Sequence, residues 1–175
     1  MKSAAILLHG PTSAGKSSLA HALQDCAPVP ALHISLDAFV TMSRRRDMRS
    51  SEETAVVYHI HCENLRSTLT RVAATRFEII FDTVLRHEKE LHECVLALAT
   101  RPLYQIHVWA PIEVLEQRER LRDDRADGMA REQANHPIFR RTYDLSIDTS
   151  AMSPVQGAEA IRALILESQK SSNSL

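Results

Sequence analysis

Between residues 10 and 17 the chain reads Gly10-Pro11-Thr12-Ser13-Ala14-Gly15-Lys16-Ser17, the pattern G-x-x-x-x-G-K-[ST] of a loop that cradles phosphates. Each residue type there has a chemical reason. The glycines let the backbone curl until its N–H groups point inward and form an anion nest. A helix starting near Lys16 adds its positive end. Lys16 brings a cation to the β- and γ-phosphates, and the Ser17 hydroxyl is a ligand for Mg²⁺. The alternative is a chance Gly-rich turn. Context argues against it, because an apolar run precedes the loop, helical spacing follows, and one of only four lysines falls where the motif needs it. Residues Gly10 to Ser17, with Ser18 on the next turn, are therefore expected to bind ATP with Mg²⁺.

A second nucleotide element should be an acid at the end of another buried strand. Phe77-Glu78-Ile79-Ile80-Phe81-Asp82 supplies one, and Asp82 in that place would hold a water of the Mg²⁺ shell. A helix cap is the competing reading for a strand-end Asp. Asp37 follows Leu32-His33-Ile34-Ser35-Leu36. Ligands of open parallel sheets sit at the carboxyl ends of strands, which places Asp37 on the same rim as the loop. A carboxylate there can accept the proton of an attacking hydroxyl, or cap the short segment 37–42. Within residues 118–133, Arg118, Arg122 and Arg125 recur at i, i+4 and i+7, so one helical face would carry three guanidinium groups. That face reads as a lid over a transferring phosphoryl group, with Arg125 contributing to catalysis and Arg118 and Arg122 to nucleotide binding. A solvated helix of paired charges is the alternative. Gly128 reads as a lid hinge or a helix terminus.

The elements that must position these groups are legible as alternating patterns. Apolar runs at 4–8, 77–81 and 104–109, with weaker ones at 32–36 and 145–148, read as strands. Leu19 and Leu23 lie on a helix after the first of them. Val57, Ile60, Leu65, Leu69 and Val72 mark a helix within 54–76, and Leu91, Val95 and Leu98 one within 87–100. Ser153-Pro154-Val155-Gln156 is a helix start, with Val155, Ala158, Ile161, Leu164 and Ile165 as its apolar stripe. Alternating hydrophobic strands and helices predict an α/β fold, a parallel sheet covered on both faces. The spacing predicts one domain over 1–168 with its lid near 118–133, and a frayed tail over 169–175.

Composition narrows the class. Of 175 residues 44% are apolar and 25% charged, which fits a soluble globular chain and excludes a disordered one. The net charge of −1 gives no global field to attract nucleic acid or an anionic membrane. Seventeen arginines stand against four lysines, an excess of the fork-shaped donor suited to phosphate and carboxylate. Cys26, Cys62 and Cys94 are widely spaced and read as small buried hydrophobes in a reducing compartment. No apolar run is long enough for a signal peptide or a membrane span, so a cytoplasmic protein is expected. His59 and His61, two apart on a helix, cannot clamp one ion, and His87 and His92 are one residue too far apart for a zinc-protease helix. Trp109 is expected in the core or at its rim, and His9 is expected to be structural.

The phosphate loop with Ser13-Ala14-Gly15-Lys16-Ser17, then Asp37, Ile79-Ile80-Phe81-Asp82, Arg118-Glu119, Asp124-Arg125, Gly128-Met129-Ala130, Gln133, Tyr143-Asp144 and Asp148-Thr149 together resemble the chloramphenicol phosphotransferase-like family of P-loop kinases. The resemblance covers most of the chain. It implies a three-layer P-loop kinase fold with a five-stranded parallel sheet, and ATP-dependent phosphorylation of a small-molecule hydroxyl. It further implies Asp37 as base, Lys16 as the P-loop lysine and Arg118, Arg122 and Arg125 as lid arginines. Ser43-Arg44-Arg45-Arg46 departs from what a neutral, apolar acceptor such as chloramphenicol needs, so either this loop is simply solvated or the acceptor is anionic. A nucleoside monophosphate or other metabolite kinase is the nearest rival function. A non-catalytic, nucleotide-gated binding protein is a third reading, and a homo-oligomer is left open.

Overall fold

Apolar side chains on both faces of the predicted strands require helices on both sides, and the computed structural model, which describes residues 3–121 and 128–172, has them. Strands β1 (Ala5–His9), β2 (Ala31–Ser35), β3 (Glu78–Thr83), β4 (Leu103–Trp109) and β5 (Leu145–Asp148) form one all-parallel sheet. Their order is β2-β3-β1-β4-β5. The helices are α1 (Lys16–Asp25), α2 (Leu36–Val40), α3 (Ser51–Ala73), α4 (Glu88–Leu98), α5 (Ile112–Arg120), α6 (Met129–Ala134) and α7 (Pro154–Ser172). Short 3₁₀ turns cover Arg45–Asp47 and Pro137–Arg140. None of the described helices is long and apolar enough to cross a membrane.

The two-residue strand period divides the core. Ile6, Leu8, Ile80, Ile106, Val108 and Ile147 face Leu19 and Leu23 of α1, Leu115 of α5, and Ala158, Ile161 and Ile165 of α7. Ala5, Leu7, Ile34, Ile79 and Phe81 face Leu65 and Leu69 of α3 and Leu91 and Leu98 of α4. Glu78, the one charge in the apolar run 77–81, is buried and answered by both terminal nitrogens of Arg162, at 2.6 and 2.7 Å.

Local signals set the ends of elements. Ser153 and Gln156 form a reciprocal capping box, with 2.9 and 3.3 Å bonds, at the start of α7. Val155 of the expected stripe is exposed, whereas Ala158, Ile161 and Ile165 are buried. Helix α3 starts three residues before the sequence boundary because the Ser50 hydroxyl accepts from the Glu53 N–H at 3.2 Å. Its far end is held by Arg101, a buried guanidinium that donates to the carbonyls of Val72, Ala73 and Thr75, and to those of Ser3 and Phe77. Cys62 and Cys94 are buried, but Cys26 is exposed: it caps the C-terminus of α1, where the chain turns out of the core.

Candidate active site

The phosphate loop joins β1 to α1 and is shaped by three residues. Gly10 lies so close to β4 that a Cβ there would sit 1.9 Å from the Val108 carbonyl oxygen, a position only glycine can take. Gly15 turns the chain into α1 with a left-handed φ of 84°. Ser13 has a φ of 61°, the only positive value among the described residues other than glycine. Lys16 is buried, and its Nζ donates to the Pro11 carbonyl at 2.7 Å, arching over its own loop.

Opposite the loop, Asp82 is held from three directions. The register sets Ser35 of β2 beside Asp82 of β3, and the Ser35 hydroxyl donates to Asp82 Oδ1 at 2.7 Å. His33, two residues back on the same face of β2, places Nε2 2.7 Å from Asp82 Oδ2. Ser17 Oγ donates to that oxygen at 3.2 Å. Burial pushes the carboxyl pKa up, but the His33 bond, the Lys16 charge and the Ser35 hydroxyl outweigh it, and Asp82 stays below the usual carboxylate range. A buried, ionised carboxylate beside a serine hydroxyl is the hard-oxygen donor pair that Mg²⁺ takes, so these residues fit that ion. The helix-cap alternative for Asp82 fails, because α4 starts only at Glu88, after His87.

Asp37 lines the same cleft, of about 100 Å³, as Thr12, Ser13, Lys16, Ser17 and Asp82. It is not the cap of α2. The Ser35 hydroxyl takes that role, accepting from the Asp37 N–H at 3.3 Å, and Asp37 sits in the first helical turn. Ser35 therefore serves both acids. Nothing in its residue type disclosed this; only the β2–β3 register does.

Helix α5 stops at Arg120, and a separate α6 begins after Gly128, whose φ is 85°. Gly128 is thus a helix terminus. Arg122 and Arg125 lie outside the described residues. Arg118 is described, and it reaches inward: its terminal nitrogens donate to the Thr149 hydroxyl and carbonyl, each at 2.8 Å, and to the Ser13 carbonyl at 3.4 Å. A second cleft of about 240 Å³ opens beside it, lined by Gly15, Ser18, Leu19, Ile147, Thr149 and Met152 among others. Glu119 is also turned inward, accepting from the N–H groups of Gly128 at 3.0 Å and Ala130 at 2.7 Å. Nothing in the charge run around it marks it as buried. It is buried because it caps α6, which takes the unpaired amides that make burial of a carboxylate tolerable.

Beyond α2, Arg44 and Arg46 are exposed and both reach Asp47. Arg44 Nε lies 2.8 Å from Asp47 Oδ2 and Arg46 Nε 3.9 Å from Oδ1. A cavity of about 750 Å³ lies there, lined by Met42, Met48, Val56 and Val57 together with Arg44, Asp47, Glu52 and Glu53. His61, on α3, meets the Ser43 hydroxyl at 2.7 Å, whereas His59 faces Glu63 at 3.6 Å, so the two histidines serve different partners. Trp109 sits at the rim, its carbonyl accepting from the Thr149 N–H at 2.9 Å.

His9, next to the loop, is structural. Its Nε2 is 2.8 Å from the Leu85 carbonyl, which can only accept, so Nε2 carries the proton. Nδ1, 2.7 Å from the Tyr143 hydroxyl, must then be the acceptor. Burial, with Lys16 and Arg141 nearby and only partly countered by the Leu85 bond, pushes the imidazole pKa down to about 3. Burial likewise pushes the Tyr143 phenol up to about 12, with Arg141 opposing it. His107 stacks on Tyr143 with centroids 4.9 Å apart. The neutral His9 ties the end of β1 to the loop after Asp82 and to the segment before β5.

The β2-β3-β1-β4-β5 parallel sheet, with a phosphate loop leaving its central strand, is the fold of a P-loop kinase. Solved structures share it: the tunicamycin resistance protein of Deinococcus radiodurans has a TM-score of 0.68 and 19% identity over 94% of this chain and 96% of that one. Shikimate kinase from Acinetobacter baumannii, in complex with shikimate, has a TM-score of 0.67 and 18% identity over 94% and 93%. The APS kinase of Mycobacterium tuberculosis, in complex with AMPPNP and APS, has a TM-score of 0.68 and 14% identity over 94% and 98%. No curated protein matches the sequence. The model of the chloramphenicol phosphotransferase-like family matches residues 3–166, and the chain belongs to that family.

Proposed function

We propose that this P-loop phosphotransferase transfers the γ-phosphoryl group of ATP to a hydroxyl of a small molecule. The observation that carries this reading is one cleft lined by Lys16, Ser17, Asp82 and Asp37, a phosphate cradle and a second acid side by side. The amides of the loop and of the α1 N-terminus would bind the triphosphate, and Lys16 would swing from Pro11 to the β- and γ-phosphates. The second cleft, lined by Arg118 and Thr149 among others, would take the nucleotide's base. Ser17 would hold Mg²⁺ directly and Asp82 through a water; the ion supplies neutralisation of phosphate charge. Asp37 orients the acceptor hydroxyl and takes its proton as the new O–P bond forms and the bond to the β–γ bridging oxygen breaks, releasing ADP. Arg125 and Arg122 are proposed to add cationic stabilisation of the transferring group.

The cavity beyond α2 supports an acceptor that is not a nucleotide. Arg44 is already engaged by Asp47, and Glu52 and Glu53 line the same wall, so an anionic substrate would meet carboxylates there. A screen of hydroxyl-bearing antibiotics and metabolites, by ATP consumption and mass detection of the phosphorylated product, tests the reading. Transfer to nucleoside monophosphates and never to other alcohols would replace it with the nucleotide-kinase alternative. Tight nucleotide binding with no transfer to any acceptor would favour a nucleotide-gated binding protein.

A further inference from the structure

The crest of the phosphate loop, at Thr12 and Ser13, is gripped from outside by two side chains of the α5–α6 region. On one side, Gln133 Oε1 accepts from the Thr12 N–H at 2.7 Å, with both groups buried. On the other, Arg118 donates to the Ser13 carbonyl while anchored on Thr149. The crest needs such support. A serine at positive φ holds backbone strain and persists only where its surroundings impose the conformation.

Gln133 is well placed to impose it. Ala130, one turn earlier on the same face of α6, is fully buried. The start of α6 is locked by Glu119 through two backbone N–H groups. Outside the helix, Arg131 pairs with Glu116 at 2.5 Å and Glu132 with Arg86 at 2.6 Å. The amide of Gln133 is thus carried on a short, fixed strut with its oxygen aimed at one peptide unit of the loop. Thr12 lies in the half of the loop remote from the α1 N-terminus, whose amides serve the inner phosphates.

We infer that Gln133 is a positioning residue for the terminal phosphate. By holding the Thr12 N–H outward it fixes the crest against which the γ-phosphoryl group rests, while contributing nothing to the inner phosphates. The inference builds on the nucleotide reading above. It is tested by equilibrium binding of ADP and of the non-hydrolysable triphosphate AMPPNP to the wild-type protein and to Gln133→Met, which keeps the length and removes the acceptor. The expected result is ADP affinity within about twofold of wild type and AMPPNP affinity about tenfold weaker, the size of one lost buried hydrogen bond. Equal losses for both nucleotides, or no loss of AMPPNP affinity, would overturn it. A second measurement does not depend on the variant folding. In nucleotide-free wild-type protein, the Thr12 amide should exchange with solvent at least tenfold more slowly than an exposed loop amide, and rapid exchange would also overturn the inference. Failure of the wild-type protein to bind either nucleotide would instead refute the nucleotide reading, and the exchange measurement would still report on the strut.

Discussion

Replacing His9 with Gln isolates one buried titration. Gln keeps a donor within reach of the Leu85 carbonyl and cannot take up a proton in the relevant range. In the folded protein the imidazole pKa is pushed down to about 3, mainly by burial, while in the unfolded chain it lies near 6.5. Between those values the unfolded state binds a proton that the folded state refuses. Stability is therefore complete above about pH 6.5 and falls as pH drops toward 3. At about 1.36 kcal/mol per pH unit, His9 alone removes ~2 kcal/mol on going from pH 8 to pH 5. Urea unfolding of wild type and His9→Gln at both pH values provides the assay. The other titrating groups are common to both proteins and cancel in the difference of differences. The variant, although destabilised at pH 8 by loss of the Tyr143 bond, should lose about 2 kcal/mol less than wild type on acidification. Equal losses would show that His9 takes up a proton in the folded protein, and would refute the tautomer assigned to its bonds with Leu85 and Tyr143.

Two further substitutions probe the frame of the site. Arg101→Met strips the donors from five carbonyls, three of them at the end of α3, and should cost about 3–5 kcal/mol of unfolding free energy by denaturant titration; a loss below about 1 kcal/mol would contradict the structural role given to that guanidinium. Gly10→Ala forces the loop away from β4, because its Cβ would meet the Val108 carbonyl oxygen at 1.9 Å. AMPPNP affinity should drop at least about tenfold, together with a destabilisation of ~1–3 kcal/mol from overpacking, and an unchanged affinity would mean that β4 can yield.

Much of this architecture is written locally in the chain. Apolar runs at 4–8 and 77–81 mark strands because a parallel sheet buries both faces, and the Ser153–Gln156 box marks the start of α7 because both ends of that bond lie within four residues. The phosphate loop is legible for the same reason: its chemistry needs fixed residue types at fixed spacing. What escaped is set by register and by breaks in periodicity. His33 and Ser35 converge on Asp82 only once β2 lies beside β3, and no local pattern states that pairing. The i, i+4, i+7 spacing of Arg118, Arg122 and Arg125 reads as one helical face, yet α5 ends at Arg120; Gly128, whose residue type offers a hinge or a terminus alike, opens α6 at positive φ. Glu119 was hidden inside that run. Its role follows from the α6 amides it caps, which no charge pattern contains.

The proposal as a whole turns on the acid beside the phosphate loop. Asp37→Asn leaves the loop, Lys16, Ser17 and Asp82 in place while removing the carboxylate that would receive the acceptor proton. The decisive measurement is the turnover number of Asp37→Asn with the best acceptor from the screen, made alongside its AMPPNP affinity. Nucleotide affinity within about twofold of wild type and kcat reduced by about 10²–10⁴ is the expected result, the range contributed by a positioned general base. Near-normal turnover would remove Asp37 as the base and, with it, the mechanism drawn from this cleft.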